Sequence, residues 1–244
     1  MILKRLSPAL PDLVLDSPKQ LREHIAEHSW PEPSFMANLV TTIDGRFWGQ
    51  TTSSRDLSNA HDLQSLLGYR NASDLILTSA TTARQEQYKR SGLAPLALVS
   101  RSGNFANIPA VQSDSAGPDT SLVHLFVPSK IAKKTKATYE QPWIRVHKLG
   151  KLRYGSFSPF RLSFALTRTG ARRVVIEAGP TLVRWLVQSH ALQYLSLTII
   201  DAAEQSPLNA AKPALEALGI RGAQLEWAEQ VDGTMFTRWS ELSA

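Results

Sequence analysis

Val174-Val175-Ile176-Glu177-Ala178-Gly179-Pro180-Thr181-Leu182-Val183-Arg184-Trp185 is the stretch whose reading decides the fold. An apolar, β-branched run stops at an acid, a small turn follows, and a helix opens at a proline. β-Branched residues suit a strand. Gly179 lets the backbone come close to a ligand, and Pro180 fits the first helical position, where its missing N–H costs nothing. The unpaired N–H groups of a first helical turn, with the positive end of the helix dipole, favour an anion such as phosphate. Glu177 falls at the carboxyl end of its strand, where open α/β sheets place their ligands. The reading is strand, anion-holding turn beside a carboxylate, then helix. Taken alone, the same residues also make an ordinary strand-to-helix connection.

Outward from this stretch, apolar runs alternate with helical patterns. Strands are expected at Phe35–Thr42, Asp74–Thr78, Leu96–Ser100, Leu122–Val127, Trp143–Val146 and Tyr194–Ile200. Asp44-Gly45 ends the first of these in turn chemistry. Ser58-Asn59 can cap a helix to about Arg70, with Leu63, Leu66 and Leu67 at helical spacing. Another helix spans roughly Ser158 to Thr169. Two late strands, Gln224–Trp227 and Thr234–Trp239, flank Val231-Asp232-Gly233, which reads as a hairpin turn. Residues 1–34 are broken by Pro8, Pro11, Pro18, Pro31 and Pro33 and read as a lead-in packed on a domain of residues 35–244. One helix from Pro18 to about His28 is expected there, with Leu21, Ile25 and His28 on one face. Gln112–Pro118 is polar and reads as a surface loop. The order predicts an α/β fold with a mostly parallel central sheet, flanking helices and a C-terminal antiparallel hairpin.

At 244 residues, 43% of them hydrophobic, the chain can bury one sizeable core. No apolar run approaches the roughly 18 residues a membrane span needs, and Met1–Arg5 lacks the apolar core of a secretory signal. There are no cysteines. That removes disulfides, thiolate zinc sites and cysteine nucleophiles, and it fits a reducing cytosol. The net charge of +6 is spread along the chain, its densest run being Lys130-Ile131-Ala132-Lys133-Lys134-Thr135-Lys136. Such a run reads as a solvated loop or helix face rather than a nucleic-acid surface. A positive balance also speeds capture of ligands carrying several phosphates.

Hydrolytic and phosphoryl-transfer motifs are absent: there is no G-x-S-x-G, no S-x-x-K and no lysine-bearing P-loop. His24-Ile25-Ala26-Glu27-His28 has the H-x-x-E-H spacing of inverted zinc peptidases. It lies in the proline-broken lead-in without a clear third ligand, so no metal ligand is assigned. Polar residues gather instead at strand ends: Thr41-Thr42-Ile43-Asp44-Gly45, Thr78 to Glu86, Ser100-Arg101-Ser102-Gly103-Asn104, and Glu177 to Thr181. In a parallel sheet such ends share one edge and are expected to converge on a crevice. Ser100-Arg101-Ser102 suits a monoester phosphate, whose oxygens hydroxyls and a forked guanidinium can share.

In series, these segments resemble the pyrimidine reductases of riboflavin biosynthesis, which have a dihydrofolate-reductase-like fold. The resemblance runs from about Ser34 to the C-terminus and is closest to the stand-alone members. Asn38–Gly45 is similar to the family's first strand and its S-L-D-G ending, and Thr78–Glu86 to V-G-A-G-T-V-R-A-[DE]. Ala97–Ser102 is similar to the strand and turn at the NADPH 2′-phosphate, and Glu177–Leu182 to E-G-G-P-T-L. The resemblance implies an NADPH-dependent reductase that converts a ribosylamino-pyrimidine phosphate to its ribitylamino form. It implies a cytoplasmic homodimer with no nucleic-acid or membrane partner. Thr41, Thr82, Glu86, Ser100, Arg101, Ser102, Gly179, Pro180, Thr181 and Leu182 are implied at the cofactor. Ser54, Arg70 and Glu177 are implied at the substrate, and Glu177 and Asp44 as catalytic candidates. Ala178 replaces the family's first glycine, and the D-P-x-L-x-x-R segment after the acid is missing, with Lys89-Arg90 nearby. A reductase of another heterocycle, of pterin type, and a catalytically silent nucleotide-binding protein stay open alternatives.

Overall fold

In the computed structural model the chain opens with two antiparallel strands, β1 (Ile2–Ser7) and β2 (Ala9–Val14). The structure describes residues 1–28, 30–51, 53–90, 92–112, 122–152 and 157–244. Helix α1 (Pro18–Glu27) follows; Ser17 caps it and Leu21 and Ile25 are its buried residues. Strand β3 (Ser34–Thr42) is buried along nearly its whole length, as a strand covered on both faces must be. A single 3-10 turn, Ser54–Asp56, leads to α2 (Ala60–Asn71), whose His61 and Asp62 N–H groups bond the Asn59 side chain at 3.0 Å.

Next come β4 (Leu75–Ser79), α3 (Ala80–Gln85), β5 (Leu96–Val99), α4 (Pro109–Gln112), β6 (Val123–Val127), α5 (Ala132–Thr138), β7 (Ile144–Lys148) and α6 (Pro159–Thr167). Strand β8 (Arg173–Ile176) precedes α7 (Pro180–Gln188), β9 (Tyr194–Ile200) and α8 (Pro207–Ala217). Strands β10 (Gly222–Val231) and β11 (Thr234–Ser243) complete the order.

The backbone divides into two units, residues 1–72 with 175–244, and residues 73–174. In the first, neighbouring strands run β2-β1-β10-β11-β9-β3. The β3–β9 pair is parallel and the others are antiparallel. The second holds the order β4-β5-β6-β7, parallel throughout. This is the anticipated α/β arrangement with its C-terminal antiparallel hairpin. Asp232 (φ 45°) and Gly233 (φ 78°) turn that hairpin, as a two-residue Asp-Gly loop does.

Two expectations need correction. The opening 34 residues hold β1 and β2 as well as α1, and β1 pairs with β10. The buried face of α2 is Asp62, Ser65, Gly68 and Tyr69, while Leu63 is exposed. Gly68 decides this: a Cβ there would lie 2.8 Å from the Arg22 carbonyl oxygen and 3.0 Å from Ile25 Cγ2. The missing side chain lets α1 press against α2. The lysine run forms α5, with Ala132 and Thr135 buried and Lys133, Lys134 and Lys136 exposed, the solvated helix face expected of it. The loop expected at Gln112–Pro118 lies, beyond Gln112, outside the described residues.

In the second unit, His124 Nδ1 lies 2.8 Å from His147 Nε2, and the His147 ring stacks on Phe126 at 4.6 Å. Burial first, then the neighbouring His147 and Arg145, pushes the His124 imidazole down to about 4. A histidine depressed in the folded state contributes its full stability above its unfolded value of 6.5 and loses it as pH falls toward 4. At about 1.4 kcal/mol per pK unit the ceiling is about 3 kcal/mol, and solvent screening brings it to about 1–2 kcal/mol. Urea unfolding at pH 7 and pH 4.5 should therefore lose more stability in the wild type than in His124→Gln. Equal losses would mean the ring protonates freely in the folded chain.

Candidate active site

Strand β8 leads directly to Glu177, whose side chain is only 4% exposed. A carboxylate this buried needs a partner. Arg70, on the last turn of α2, supplies it: Nε donates to Oε1 at 2.8 Å and Nη2 to Oε2 at 2.7 Å. This two-pronged fit fixes the plane of the carboxylate as well as its position. Both residues were assigned separately to substrate; they meet as a pair within one unit.

Beyond Glu177, Gly179 is the cap residue of α7, with φ −60° and no side-chain bond to the first turn. Any residue could adopt that backbone, so conformation does not demand glycine here. A Cβ at Gly179 would meet no heavy atom within 4 Å. Among the described residues the space at that Cβ position is open, with Thr181 exposed and Pro180 and Leu182 half-buried.

Asp62, in the first turn of α2, is a second buried acid. Burial pushes its carboxyl up; the Ser58 hydroxyl, donating at 2.6 Å, opposes this, and the charge on Glu177 adds to it. The Oδ1 atom of buried Asn38 on β3 takes no hydrogen bond among the described residues. Neither side chain is a candidate site residue from the sequence. Asp62 reads there as a first-turn acid favoured by the helix dipole, and Asn38 as one residue of an apolar run.

The turn after β3 is built from its own side chains. The Thr42 hydroxyl donates to Asp44 Oδ1, and Arg46 Nε donates to Asp44 Oδ2 at 2.8 Å. Those two contacts, Thr42 first, hold the exposed Asp44 carboxyl below its usual range. Thr41, expected at the cofactor, is fully buried and its hydroxyl donates to the Arg46 carbonyl at 3.0 Å. It fastens the turn. Ser54 is half-buried, and its carbonyl accepts the N–H groups of Leu57 and Ser58.

In the other unit, Ser100 follows β5, and its Oγ accepts the Gly103 N–H at 3.1 Å. Ser102 Oγ lies 3.4 Å from Ser100 Oγ, and Arg101 is exposed beside them. The guanidinium of Arg84 binds the carbonyls of Ala106 and Asn104 at 2.9 and 3.1 Å, fixing the loop beyond. Thr82 stands at the start of α3, where its N–H and hydroxyl meet Ser79 Oγ at 3.0 Å, and half-buried Glu86 caps that helix's end.

The sequence matches one family model, the RibD C-terminal domain, over residues 33–201. The chain belongs to the RibD C-terminal domain family. No curated protein matches it significantly. Among solved structures, a pyrimidine reductase-like protein from Corynebacterium diphtheriae is 23% identical, with a TM-score of 0.68 over 91% of this chain and 99% of its own. The Saccharomyces cerevisiae riboflavin biosynthesis reductase Rib7 is 11% identical, with a TM-score of 0.57 over 92% of this chain and 97% of its own. Acinetobacter baumannii RibD is 14% identical, with a TM-score of 0.62; this chain covers 59% of it. At these identities the likeness is one of fold. Among the described residues of this RibD C-terminal domain no helix is long and apolar enough to cross a membrane.

Proposed function

We propose that the chain is an NADPH-dependent reductase that converts a ribosylamino-pyrimidine phosphate to its ribitylamino form in riboflavin biosynthesis. The observation that carries this reading is the buried Glu177–Arg70 pair followed at once by a helix start with no side-chain cap and open space at its Gly179. Membership of the RibD C-terminal domain family supports it. Its proposed setting is the cytoplasm and its proposed state a homodimer.

The residues suit such a cofactor. Gly179 and Thr181 offer backbone N–H groups, and Pro180 and Leu182 complete the turn assigned to the pyrophosphate. Ser100, Arg101 and Ser102 offer two hydroxyls and a guanidinium for a 2′-phosphate, with Thr82 and Glu86 assigned beside the nucleotide. When bound, NADPH supplies the hydride that reduces the sugar carbon C1′. Glu177, its plane fixed by Arg70, accepts hydrogen bonds from the pyrimidine. The orphaned Asn38 Oδ1 offers one more acceptor. Ser54 is assigned to the substrate phosphate, while Arg70 spends two of its nitrogens on Glu177. The substrate nitrogen must gain a proton as C1′ gains its hydride. Asp44, exposed and held low, stays ionised at neutral pH and is a poor source. Asp62, buried in the first turn of α2 with its carboxyl pushed up by burial, is a second acid of the same unit.

Titration with NADPH and NADH tests the reading. The wild type should prefer NADPH, and Arg101→Ala should weaken NADPH about 10–100-fold, the value of a charge-assisted contact, with NADH unchanged. Absence of NADPH binding to the wild type would remove the proposal. Equal loss for both cofactors would remove Arg101 from the 2′-phosphate.

A further inference from the structure

We propose that His24, His28 and Glu229 form a binding site for one divalent transition-metal ion of the zinc class. The two histidines are one helical turn apart at the end of α1, so both rings leave the same face. Glu229 comes from β10, and its side chain is 4% exposed. One atom of each makes a triangle, and His24 Nε2 also lies 2.8 Å from the second oxygen, Glu229 Oε2. His24 Nε2 lies 3.0 Å from Glu229 Oε1, His28 Nε2 lies 3.6 Å from the same oxygen, and the two nitrogens are 3.2 Å apart. Donors held about 2.0–2.1 Å from a tetrahedral ion lie about 3.3 Å from one another. The triangle has the edges of one face of such a tetrahedron.

Proton accounting points the same way. A carboxylate only accepts, and a neutral imidazole nitrogen either donates one proton or accepts one. A proton on His24 Nε2 cannot lie along both the line to Glu229 and the line to His28. A cation at the centre satisfies all three lone pairs together, and any proton on the nitrogens leaves for solvent.

The rings are also held in place. His28 stacks on Trp227 with centroids 5.0 Å apart, and its carbonyl accepts a bond from Arg238. Arg238 is itself neutralised by Glu226 at 2.7 Å. Arg5 Nε approaches the Glu229 carboxylate at 3.7 Å from β1, so the carboxylate would be shared between ion and guanidinium. The rings remain partly exposed, His24 by 14% and His28 by 29%, which leaves the fourth position to water. The donor set, two imidazoles and one carboxylate, suits zinc and its first-row neighbours and not calcium or magnesium. Bound there, the ion fastens α1 to β10.

Calorimetric titration of the full chain, stripped with a chelator and then given zinc chloride at pH 7, tests the site. One ion per chain is expected. His24→Asn, His28→Asn and Glu229→Gln should each weaken binding by at least about 100-fold, the upper range for loss of outer partners alone. Glu27→Ala, on the exposed side of the same turn, should bind as the wild type does. Wild-type binding no tighter than that of the His24→Asn/His28→Asn double variant overturns the proposal, as does loss of binding in Glu27→Ala. A second readout needs no variant: the wild type loaded with cobalt(II) should show the visible absorption of a four-coordinate ion. Cobalt left in its pale aquo form would overturn the site equally. Neither readout involves NADPH, so the outcome is independent of the reductase reading.

Discussion

Arg70→Ala should lower the stability of the chain by about 3–5 kcal/mol, because it strands the Glu177 carboxylate in a buried position without its guanidinium. The asymmetry of the pair sharpens the expectation. Glu177 is 4% exposed and Arg70 20%, so the arginine can recover water when its partner is removed and the glutamate cannot. Glu177→Gln should therefore cost less than Arg70→Ala. The double variant should regain part of the single arginine loss, giving a favourable coupling in a double-mutant cycle. Urea unfolding of the four proteins at pH 7 measures this. An Arg70→Ala loss below about 1 kcal/mol would place the pair among exposed ion pairs, which are worth that little. The same experiment guards the functional reading. A raised Michaelis constant in Arg70→Ala is evidence about substrate only if Glu177→Gln, the milder change to the fold, also depresses turnover.

Gly45→Ala should cost about 2–5 kcal/mol. Gly45 has φ +81°, and a Cβ there would stand 2.7 Å from the carbonyl carbon and 2.8 Å from the carbonyl oxygen of Pro213. The left-handed conformation alone costs a residue with a Cβ about 1–2 kcal/mol. Forcing extra volume against packed neighbours costs about 1–3 kcal/mol more. The obstacle is backbone of α8, which cannot rotate away as a side-chain tip would. Thermal unfolding of Gly45→Ala beside Asp44→Ala isolates the effect, since Asp44 is exposed and its loss should shift the midpoint little. A Gly45→Ala midpoint equal to the wild type would mean that the turn after β3 can lift away from α8.

The segments legible in the sequence were those whose signal is local. Strand β8 and helix α7 are written in twelve consecutive residues, and the β10–β11 turn in Asp232-Gly233. Strands β1 and β2 were hidden for two physical reasons. The partner of β1, β10, lies more than two hundred residues on, and β2 is exposed over nearly its whole length, so neither shows a strong apolar alternation. Pro11 also argues against a strand, yet among the described residues β2 pairs with β1 alone and sits at a sheet edge, where proline is tolerated. Helix α8 carries Pro213 in its interior, which masks its pattern. At the site, Arg70 and Glu177 could each be named, but their pairing spans 107 residues and belongs to the fold. Asp62 was unreadable because only burial distinguishes it from any helix-starting acid. The zinc-like spacing at His24 and His28 lacks its third donor in the sequence because Glu229 lies 201 residues beyond His28.

The unit of residues 1–72 and 175–244 is interrupted in sequence by the unit of residues 73–174. A ribosome making this chain finishes the second before it can finish the first. Arg5 meets its β10 neighbour Glu229 only after more than two hundred further residues are made, roughly 10–40 s at ordinary translation rates. For that interval β1 and β2 are nascent strands without a sheet to join, and a truncated message would leave them permanently open to other chains.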